Sequence, residues 1–377
     1  MKILIDVRLL TKGGASGIEE YTRNLIGTLL SIDTNNQYQL FYNGFQKAPL
    51  QLQVSSDKLQ VLDWRVPNKL LDASVRFLGW PKLDRLVSAD VIFSPHFNIV
   101  ATASVPRVIT FHDISFIHHP YFFSWKQKLW HWLQDARSQA HSARKIIAVS
   151  EFTKADLIQS FGLPAEKIEV VYSGISSEFQ PASVSSYKSQ VFSSPYILYL
   201  GTLEPRKNVD AIIRAFNLLK QKPAFKDLQL VLAGRPGWLY GQVVSEFHRS
   251  PYQKDIVLRG GVTDAERVQL YQGARAFVYP SLFEGFGLPP LEAQACGCPV
   301  VASDRTSLPE ILGQSALLVN PWKVEELAEA IEASIVDSKR RDSLIAAGLE
   351  NVKRFSWRKT AEQVLRVLQS TYSIHEQ

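Results

Sequence analysis

Residues 281–292 read S-L-F-E-G-F-G-L-P-P-L-E, and this stretch decides how the second half of the chain is interpreted. It follows an apolar run at 274–279 and precedes a helix-like segment at 291–296. Its glycines permit backbone conformations with positive φ, and its adjacent prolines suit the first turn of a helix but not its interior. The pattern therefore predicts a strand, an exposed loop and a helix N-terminus, which together favour anion binding.

Two carboxylates, Glu284 and Glu292, bracket this loop. Glu292 would lie in the first turn of the helix, where the helix dipole favours a carboxylate without any ligand. Glu284 lies in the loop and has no such explanation. Glycosidases also use two carboxylates, so the pair alone leaves hydrolysis and the binding of an anionic ligand both open.

The composition is that of a globular protein with two domains. The chain has 377 residues, 46% of them hydrophobic and 21% charged, without a run of 18 apolar residues. The N-terminal M-K-I-L-I-D-V is typical of a strand rather than a signal peptide. Cys296 and Cys298 lack the second pair of ligands that a zinc site needs, and we expect a reducing, cytoplasmic setting. The net charge of +6 is shared evenly by both halves, so we expect no nucleic-acid partner.

Short β-branched or aromatic segments alternate with amphipathic segments along the whole chain. In the first half the predicted strands are 2–7, 38–43, 59–63, 90–94, 107–112, 145–149 and 168–172, and the predicted helices are 17–30, 125–142 and 151–161. In the second half the predicted strands are 196–200, 228–233, 256–258, 276–279, 299–302 and 316–319. The helices predicted there are 208–220, one capped by Thr263 or Asp264, 291–296, 323–336, 338–353 and one from Ser356 to about 372.

This alternation predicts parallel sheets with helices on both faces. The fold class is therefore α/β, with two doubly wound Rossmann-like domains facing across a cleft. We place the N-terminal domain at 1–180, the C-terminal domain at 181–355, and a final helix at 356–377. The serine-rich stretch 173–194 is interpreted as the linker.

In such sheets ligands bind at the carboxyl ends of the strands, where the unusual loops of this chain fall. The first loop, G-G-A-S-G at 13–17, could hold a phosphate or hydroxyls through its amides, although a plain turn explains it equally well. A nicotinamide cofactor is disfavoured because the G-x-G-x-x-G spacing is missing. A later loop carries His112 and Asp113. This histidine could donate to a substrate hydroxyl, and a structural role is the more common alternative.

Arg206 and Lys207 stand just before a helix that Asn208 is predicted to cap. Because a helix dipole disfavours cations at that end, the pair indicates an anion such as a pyrophosphate. A hydrolase has no need of such a clamp, so a phosphorylated donor is favoured over a water-using enzyme. No D-x-D or metal-spaced cluster accompanies the glycine loops, and the two cations could neutralise charge instead of a metal. We therefore expect neither a metal nor a cofactor.

Two further stretches are both basic and aromatic. Residues 125–145 place Trp125 and Trp132 on one helical face, and residues 65–85 have a similar composition. Packing into a core is one explanation of the helical stripe. Contact of an exposed Trp130 and its flanking cations with a membrane surface is the other, and the sequence leaves both open.

Together these motifs resemble the retaining GT-B glycosyltransferases of the family-4, or glycosyltransferase group 1, type, which include bacterial mannosyl- and glucosyltransferases. The resemblance covers nearly the whole chain. It rests on the glycine loop at 13–17, F-H-D at 111–113, V-S-E-F-T at 149–153, G-T-L-E-P-R-K-N at 201–208, G-G-V-T-D-A-E at 260–266 and E-G-F-G-L-P-P-L-E at 284–292. One departure is S-G-I-S at 173–176, where the family often has N-G-V-D, and it concerns contacts near the linker rather than the chemistry.

The resemblance implies a role for each matching residue. Glu284 would be the carboxylate at the transferred sugar, and His112 would reach the outer hydroxyl of that sugar. Arg206 and Lys207 would hold the donor diphosphate, and Glu292 would bind the ribose hydroxyls. The other donor contacts are expected at Gly14, at Val262 beside the base, and at the amides of Phe286, Gly287 and Leu288. The resemblance also implies that the N-terminal domain is the acceptor side and that the C-terminal domain binds the nucleotide sugar. The last helix would cross back onto the first domain.

The activity implied is transfer of a hexose, with retention, from a nucleotide sugar to a glycan or lipid-linked acceptor in cell-envelope glycan synthesis. GDP-mannose is the favoured donor, as in mannosyltransferases of polysaccharide and O-antigen assembly. UDP-glucose, UDP-galactose and UDP-N-acetylglucosamine are alternative donors. A sugar-nucleotide epimerase and a non-catalytic nucleotide-sugar-binding protein are disfavoured alternatives. We expect peripheral contact with the inner face of the plasma membrane.

Overall fold

The computed structural model describes residues 1–13, 16–45, 48, 50, 58–182 and 194–375. The chain divides into two compact units, each formed by segments that are not contiguous in sequence. The first unit comprises Met1–Phe116, Trp125–Gly174 and Ser356–Gln377, and the second comprises Ile117–Ser124 and Ile175–Phe355. The change of unit after Gly174 falls within the serine-rich stretch that the sequence marks as a linker.

The described part of the first unit contains a parallel sheet of seven strands. The strands are β1 (Lys2–Asp6), β2 (Gln37–Asn43), β3 (Leu59–Trp64), β4 (Val91–Ser94), β5 (Arg107–Phe111), β6 (Lys145–Ala148) and β7 (Ile168–Val170). They lie in the order β3-β2-β1-β4-β5-β6-β7, so the direction of winding reverses between β1 and β4. Ile3 and Ile5 pack into one apolar cluster and Leu4 into another, which shows that both faces of the sheet are covered.

The helices of the first half follow in chain order. They are α1 (Gly17–Ile32), α2 (Asn68–Leu78), α3 (Ser115–His118), α4 (Trp125–Gln134), α5 (Ala136–Ser142) and α6 (Glu151–Phe161). The predicted Ser150 cap of α6 is confirmed, since its side chain accepts a hydrogen bond from the Thr153 amide at 3.0 Å. Helix α2 was not predicted.

The single helix predicted over 125–142 is wrong. Asp135 has a φ of 47° and separates α4 from α5. Aspartate tolerates this left-handed conformation better than most residues, and the Asp135 side chain accepts a hydrogen bond from the Ser138 amide at the start of α5. The continuous apolar periodicity of the sequence conceals this break.

The second unit repeats the architecture with a parallel sheet of six strands among its described residues. The strands are β8 (Tyr196–Leu200), β9 (Gln229–Ala233), β10 (Ile256–Gly260), β11 (Ala276–Tyr279), β12 (Val300–Ser303) and β13 (Leu317–Val319). Their order is β10-β9-β8-β11-β12-β13, with the reversal between β8 and β11. All five residues of β8 and all four of β11 are buried, as expected for strands covered on both faces.

The remaining helices follow in chain order. They are α7 (Val209–Lys220), α8 (Gly241–Arg249), α9 (Asp264–Gly273), α10 (Leu288–Ala295), α11 (Leu308–Leu312), α12 (Val324–Val336), α13 (Ser338–Asn351) and α14 (Trp357–His375). Helices α8 and α11 were not predicted. The predicted Thr263 cap of α9 is confirmed as a capping box with Glu266. Asn208 is the N-cap residue of α7 as predicted, but its side chain makes no capping hydrogen bond, because it donates to the Pro280 and Pro321 carbonyls instead.

Helix α14 ends the chain but packs on the first unit. Val364 and Leu368 are completely buried in the same cluster as Leu25 and Leu29 of α1. The Thr360 hydroxyl also donates to the Tyr172 carbonyl at 2.7 Å. The C-terminal segment is therefore part of the core of the first unit. No helix in the described part of the chain is long and apolar enough to cross a bilayer.

Candidate active site

The carboxylate of Glu284 lies in the loop after β11 and is only 6% exposed. Oε1 accepts hydrogen bonds from Lys207 Nζ at 2.5 Å, from Ser281 Oγ at 2.6 Å and from Tyr279 Oη at 3.0 Å. Oε2 lies 3.4 Å from Arg206 Nη1. The side chain is therefore held at the carboxyl ends of β8 and β11, where the winding of the sheet reverses.

Arg206 and Lys207 reach this carboxylate from a short 3-10 turn after β8, Pro205–Lys207. Arg206 also pairs with Glu204, at 2.9 Å between Nη2 and Oε1, and donates to the Phe283 carbonyl. The sequence argument treated the two cations as having no structural use. In the structure they are the counter-ions of two buried carboxylates, and the four formal charges sum to zero.

The electrostatic balance keeps Glu284 ionised. Burial alone would raise its pKa, but attraction to Lys207 and Arg206 and the hydrogen bonds from Lys207 and Ser281 outweigh burial and hold the pKa below its usual value. Burial and repulsion from Arg206 lower the pKa of Lys207, and attraction to Glu284 and Glu204 offsets only part of that effect. The charges of Glu284, Lys207 and Arg206 therefore stabilise one another at a site that is shielded from water.

The loop that follows Glu284 is fixed by its neighbours. The Glu284 amide donates to Thr306 Oγ1 at 3.0 Å, and Ser307 Oγ donates to the carbonyls of Glu284 and Phe286. Gly287 has a φ of 105° and caps α10, and a Cβ there would lie 2.6 Å from Leu308. Glycine is therefore required at this position, which sets where the backbone of residues 286–288 lies.

Glu292 belongs to a second cluster of the same unit. Because α10 begins at Leu288 rather than near 291, this residue lies in the second turn, and the expected dipole explanation does not apply. Its carboxylate accepts from Tyr271 Oη at 2.8 Å and pairs with Arg267 at 3.3 Å. Both partners belong to α9, which begins just after Val262. Val262 therefore directly precedes the helix whose side chains hold the Glu292 carboxylate.

His112 lies in the first unit, immediately after β5. Its Nε2 is 2.8 Å from the Pro95 carbonyl oxygen, so that nitrogen carries the proton and donates. Burial lowers the pKa of His112, and the imidazole is neutral at pH 7. Nδ1 is then an acceptor. The ring would therefore accept a hydrogen bond from a sugar hydroxyl, whereas the sequence argument expected the histidine to donate one. Gly14 lies outside the described residues.

The structure thus groups the predicted residues into three places. Arg206, Lys207 and Glu284 share one cluster, Glu292 lies in the Arg267–Tyr271 cluster, and His112 lies in the other unit. The sequence reading missed the partners of these residues, which are Glu204, Tyr279, Ser281, Arg267 and Tyr271. Glu204 was within reach, since it precedes Arg206 by two positions in the quoted motif. Among the described residues, no group of three or more His, Cys, Asp or Glu side chains could hold a metal ion.

Two doubly wound parallel sheets, with a charged cluster at the winding reversal of the second, define the GT-B class of glycosyltransferases. Residues 188–351 match the model described as "Glycosyl transferases group 1", and residues 15–179 match the model of "Glycosyltransferase Family 4". The chain is 36% identical over 263 residues to O-antigen chain mannosyltransferase B of Escherichia coli, covering 68% of each chain. The chain belongs to glycosyltransferase family 4 and is a glycosyltransferase.

Solved structures agree with this fold. Sucrose-phosphate synthase from Thermosynechococcus elongatus superposes with a TM-score of 0.77 at 18% identity, over 99% of this chain and 100% of the other. HepE of Anabaena, solved in complex with UDP and glucose, superposes with a TM-score of 0.74 at 21% identity, over 98% of this chain and 100% of the other. These similarities confirm the predicted GT-B architecture.

Proposed function

We propose that this protein transfers a hexose with retention, with GDP-mannose as donor and a growing lipid-linked glycan as acceptor, in cell-envelope glycan synthesis. The observation that carries the proposal is the buried, ionised Glu284 between Lys207 and Arg206 at the reversal of the second sheet. The donor assignment is supported by the similarity to an O-antigen chain mannosyltransferase.

Each side chain of this cluster has a task in the proposed reaction. The bond from the anomeric carbon to the phosphate oxygen breaks, and the nucleoside diphosphate leaves with the electron pair. Arg206 and Lys207 would exchange part of their contact with Glu284 for the diphosphate, which stabilises its developing charge without a metal. The acceptor hydroxyl attacks on the same face, and its proton passes to the departing phosphate. Glu284 would contact the sugar hydroxyls and orient the ring.

A panel of nucleotide sugars tests the donor. We expect GDP-mannose to raise the melting temperature more than the UDP-sugars, because stabilisation follows affinity. Incubation of the best donor with a membrane lipid extract should then give a glycosylated product whose new linkage has the anomeric configuration of the donor, measured by NMR. A product of inverted configuration would contradict retention, and stabilisation by UDP-sugars alone would contradict the GDP-mannose assignment.

A UDP-sugar is the second candidate donor. HepE, which shares the fold, was solved with UDP and glucose. The same panel separates the two candidates. In either case Arg206→Ala should weaken inhibition by the free nucleoside diphosphate at least tenfold, because one of the two diphosphate contacts is lost. Unchanged inhibition would contradict the diphosphate role of Arg206.

We also propose that the first unit contacts the membrane through a surface formed by α2 and α4, here called the aromatic surface. Its large side chains are 54–76% exposed: Leu70, Phe77, Leu78, Trp80, Trp125, Leu129 and Trp132. The two helices are neighbours, since the Phe77 and Trp132 rings lie 6.2 Å apart and Arg76 stacks over Trp132. By contrast Trp130, for which the sequence left membrane contact and core packing both open, packs against the core.

Cations accompany these exposed side chains. Lys69, Lys126 and Lys128 are exposed, and Lys126 lies over the Trp125 ring at 5.7 Å. Aromatic side chains at the headgroup level together with lysines nearby are the pattern that binds anionic lipid surfaces. The aromatic surface therefore suits the cytoplasmic face of a membrane, where a lipid-linked acceptor would be found.

Vesicle sedimentation tests this contact. We expect binding to vesicles that contain phosphatidylglycerol, weaker binding as salt rises, and at least fivefold weaker binding of the Trp125→Ala/Trp132→Ala double variant. Trp322→Ala is the matched control, because Trp322 is 63% exposed but lies in the second unit. Equal binding of wild type and double variant would contradict the proposal.

A further inference from the structure

The first unit contains a cavity of about 360 Å³ at the reversal between β1 and β4. Arg8 follows β1, and His96 and Asn98 follow β4, so the cavity lies at the carboxyl ends of these two strands. Asp72 of α2 and Trp130 of α4 also line it. Crevices at such a reversal are where open α/β sheets bind ligands, yet none of these residues has a role in the site described above.

Arg8 is the cation of the cavity wall, but its donors are used within the protein. It donates to Asp6 at 2.8 and 2.9 Å, to Asp72 at 3.0 Å and to the Ile99 carbonyl at 2.9 Å. The guanidinium is 4% exposed, and both carboxylates are buried with it. Every nitrogen of Arg8 is therefore engaged, and no bidentate fork is left for a phosphate.

A second arginine, Arg107, lies behind Asn98. It donates to the Asn98 carbonyl at 2.6 Å and to Ser94 Oγ at 2.9 Å, and burial lowers its pKa to about 9, so it is charged at neutral pH. Glu19 adds a carboxylate to the cavity wall. The charges around the cavity are therefore two positive and three negative. The cations are Arg8 and Arg107, and the carboxylates are Asp6, Glu19 and Asp72. The excess negative charge disfavours a phosphate there.

The other side chains match a neutral sugar. Burial, with repulsion from His112 and His131 in second place, holds the pKa of His96 well below its ordinary value, so this imidazole is uncharged. Its Nδ1 has no hydrogen-bond partner among the described residues. The Trp130 ring is parallel to the His96 ring, with centroids 5.9 Å apart. An indole in a cavity wall that also carries polar side chains suits the apolar C–H face of a pyranose.

We infer that this cavity binds the terminal neutral hexose of a glycan acceptor and excludes phosphate. The inference rests on the proposed function and narrows its acceptor. The enzyme extends an existing glycan and does not add the first sugar to a lipid phosphate. His96 and His112 have ring centroids 6.1 Å apart, so the cavity borders the residue expected at the transferred sugar.

Two acceptors with the same alkyl chain test the inference directly. Wild-type protein is incubated with the donor and either octyl mannoside or octyl phosphate, with octyl glucoside as a second neutral sugar. We expect transfer to an octyl hexoside, and a rate at least fiftyfold lower with octyl phosphate. Transfer to octyl phosphate at a comparable rate would overturn the inference.

Variants of the wall locate the binding. Trp130→Ala should raise the KM for the octyl hexoside at least tenfold while donor hydrolysis in the absence of acceptor stays within twofold. Asn98→Ala should raise the same KM at least fivefold, and it keeps the backbone carbonyl that binds Arg107, so it remains informative if Trp130→Ala does not fold. Trp322→Ala, an exposed tryptophan of the second unit, should change neither value. An unchanged acceptor KM in both wall variants would overturn the inference.

A variant of Glu19 tests whether negative charge in the cavity wall excludes phosphate. Glu19→Gln keeps the capping box with Ser16, since glutamine can also fill it, and removes one negative charge from the wall. We expect octyl phosphate to inhibit this variant at least threefold more strongly than wild type; equal inhibition would contradict the exclusion of phosphate. Absence of donor hydrolysis and of transfer in wild-type protein would instead contradict the proposed function itself, so the two failures are distinguishable.

Discussion

At the scale of single residues, Glu284 is a carboxylate that stays ionised although it is buried. Its four hydrogen-bonding or ionic neighbours come from β11 and from the loops that follow β8 and β11. Such a network is costly to break, because removal of one member leaves a buried charge without its partner. Under the proposed function, catalysis and stability are therefore coupled at this position.

Glu284→Gln should reduce kcat at least a hundredfold while the donor affinity changes by less than fivefold. The amide keeps the size of the side chain but loses the charge that, under the proposed function, meets the sugar in the transition state. The variant should also lose about 3 kcal/mol of stability, because Lys207 loses its carboxylate partner. Steady-state kinetics, calorimetric donor binding and urea unfolding measure the three effects. Equal turnover would contradict the assignment.

Gly287→Ala tests the backbone of the same loop. At a φ of 105° and with a Cβ only 2.6 Å from Leu308, alanine should cost roughly 1–3 kcal/mol and lower activity by displacing residues 286–288. Gly241→Ala is the matched control, because a Cβ there meets open space among the described residues of the same unit. Thermal unfolding and transfer assays should show a defect in the first variant alone.

At the scale of elements, the ends of strands carry the candidate chemistry while the helices determine what is exposed. The short turn after β8 brings two cations to the loop after β11, and α9 brings Arg267 and Tyr271 to Glu292. The break at Asp135 ends α4 and begins α5, and within α4 Trp132 is exposed while the partly buried Trp130 packs against the core. A periodicity plot of residues 125–142 treats them as one helix and misses this division.

Helix α14 provides a test at this scale. Leu368→Ala should destabilise the first unit by about 2–5 kcal/mol, since it leaves a cavity in the core cluster shared with α1. Gln363→Ala, on the exposed side of the same helix, should stay within about 0.5 kcal/mol of wild type. Urea unfolding monitored by tryptophan fluorescence measures both. A loss of stability in Leu368→Ala as small as that in Gln363→Ala would contradict the packing of α14 in that core.

At the scale of the whole molecule, two α/β units with separate cores carry separate sets of buried charges. The first unit holds the Arg8 network and the second holds the Glu284 cluster. Burying charges in this way links stability to pH, because each carboxylate that is stabilised in the folded state binds its proton less readily than in the unfolded state. Because the pKa of Glu284 is lowered in the folded state, its contribution to stability decreases as the pH falls.

The contribution of Glu284 should be fully present above its ordinary pKa of about 4.5 and should be lost as the pH falls through its lower, folded value. Glu284→Gln should therefore show a shallower loss of stability than wild type between about pH 5 and pH 3. The exposed Glu329→Gln serves as control and should follow wild type. Urea unfolding across this range checks the prediction, and parallel curves for wild type and Glu284→Gln would contradict it.

Much of the fold and part of the site follow from sequence. Strands such as β8 and β11 are apolar throughout because they are buried on both faces, so local composition reveals them. Arg206, Lys207 and Glu284 were singled out because cations before a helix and a carboxylate in a glycine loop are locally unusual. Helix α2 was not predicted, although Leu71 and Val75 have the spacing of one buried helical face.

The sequence by itself determined the alternation of strands and helices, the positions of the loops at strand ends and the family motifs, since all of these depend on neighbours within a few positions. Only the tertiary structure decided that Glu284 pairs with Lys207 across 77 positions, that Glu292 meets Arg267, and which tryptophan of α4 packs against the core. These contacts join residues far apart in the chain, and the charge and packing of each depend on what the fold brings beside it. The conformation of the loop at 281–292 is therefore specified by its own sequence. The charged partners of its two carboxylates come from the turn after β8 and from α9.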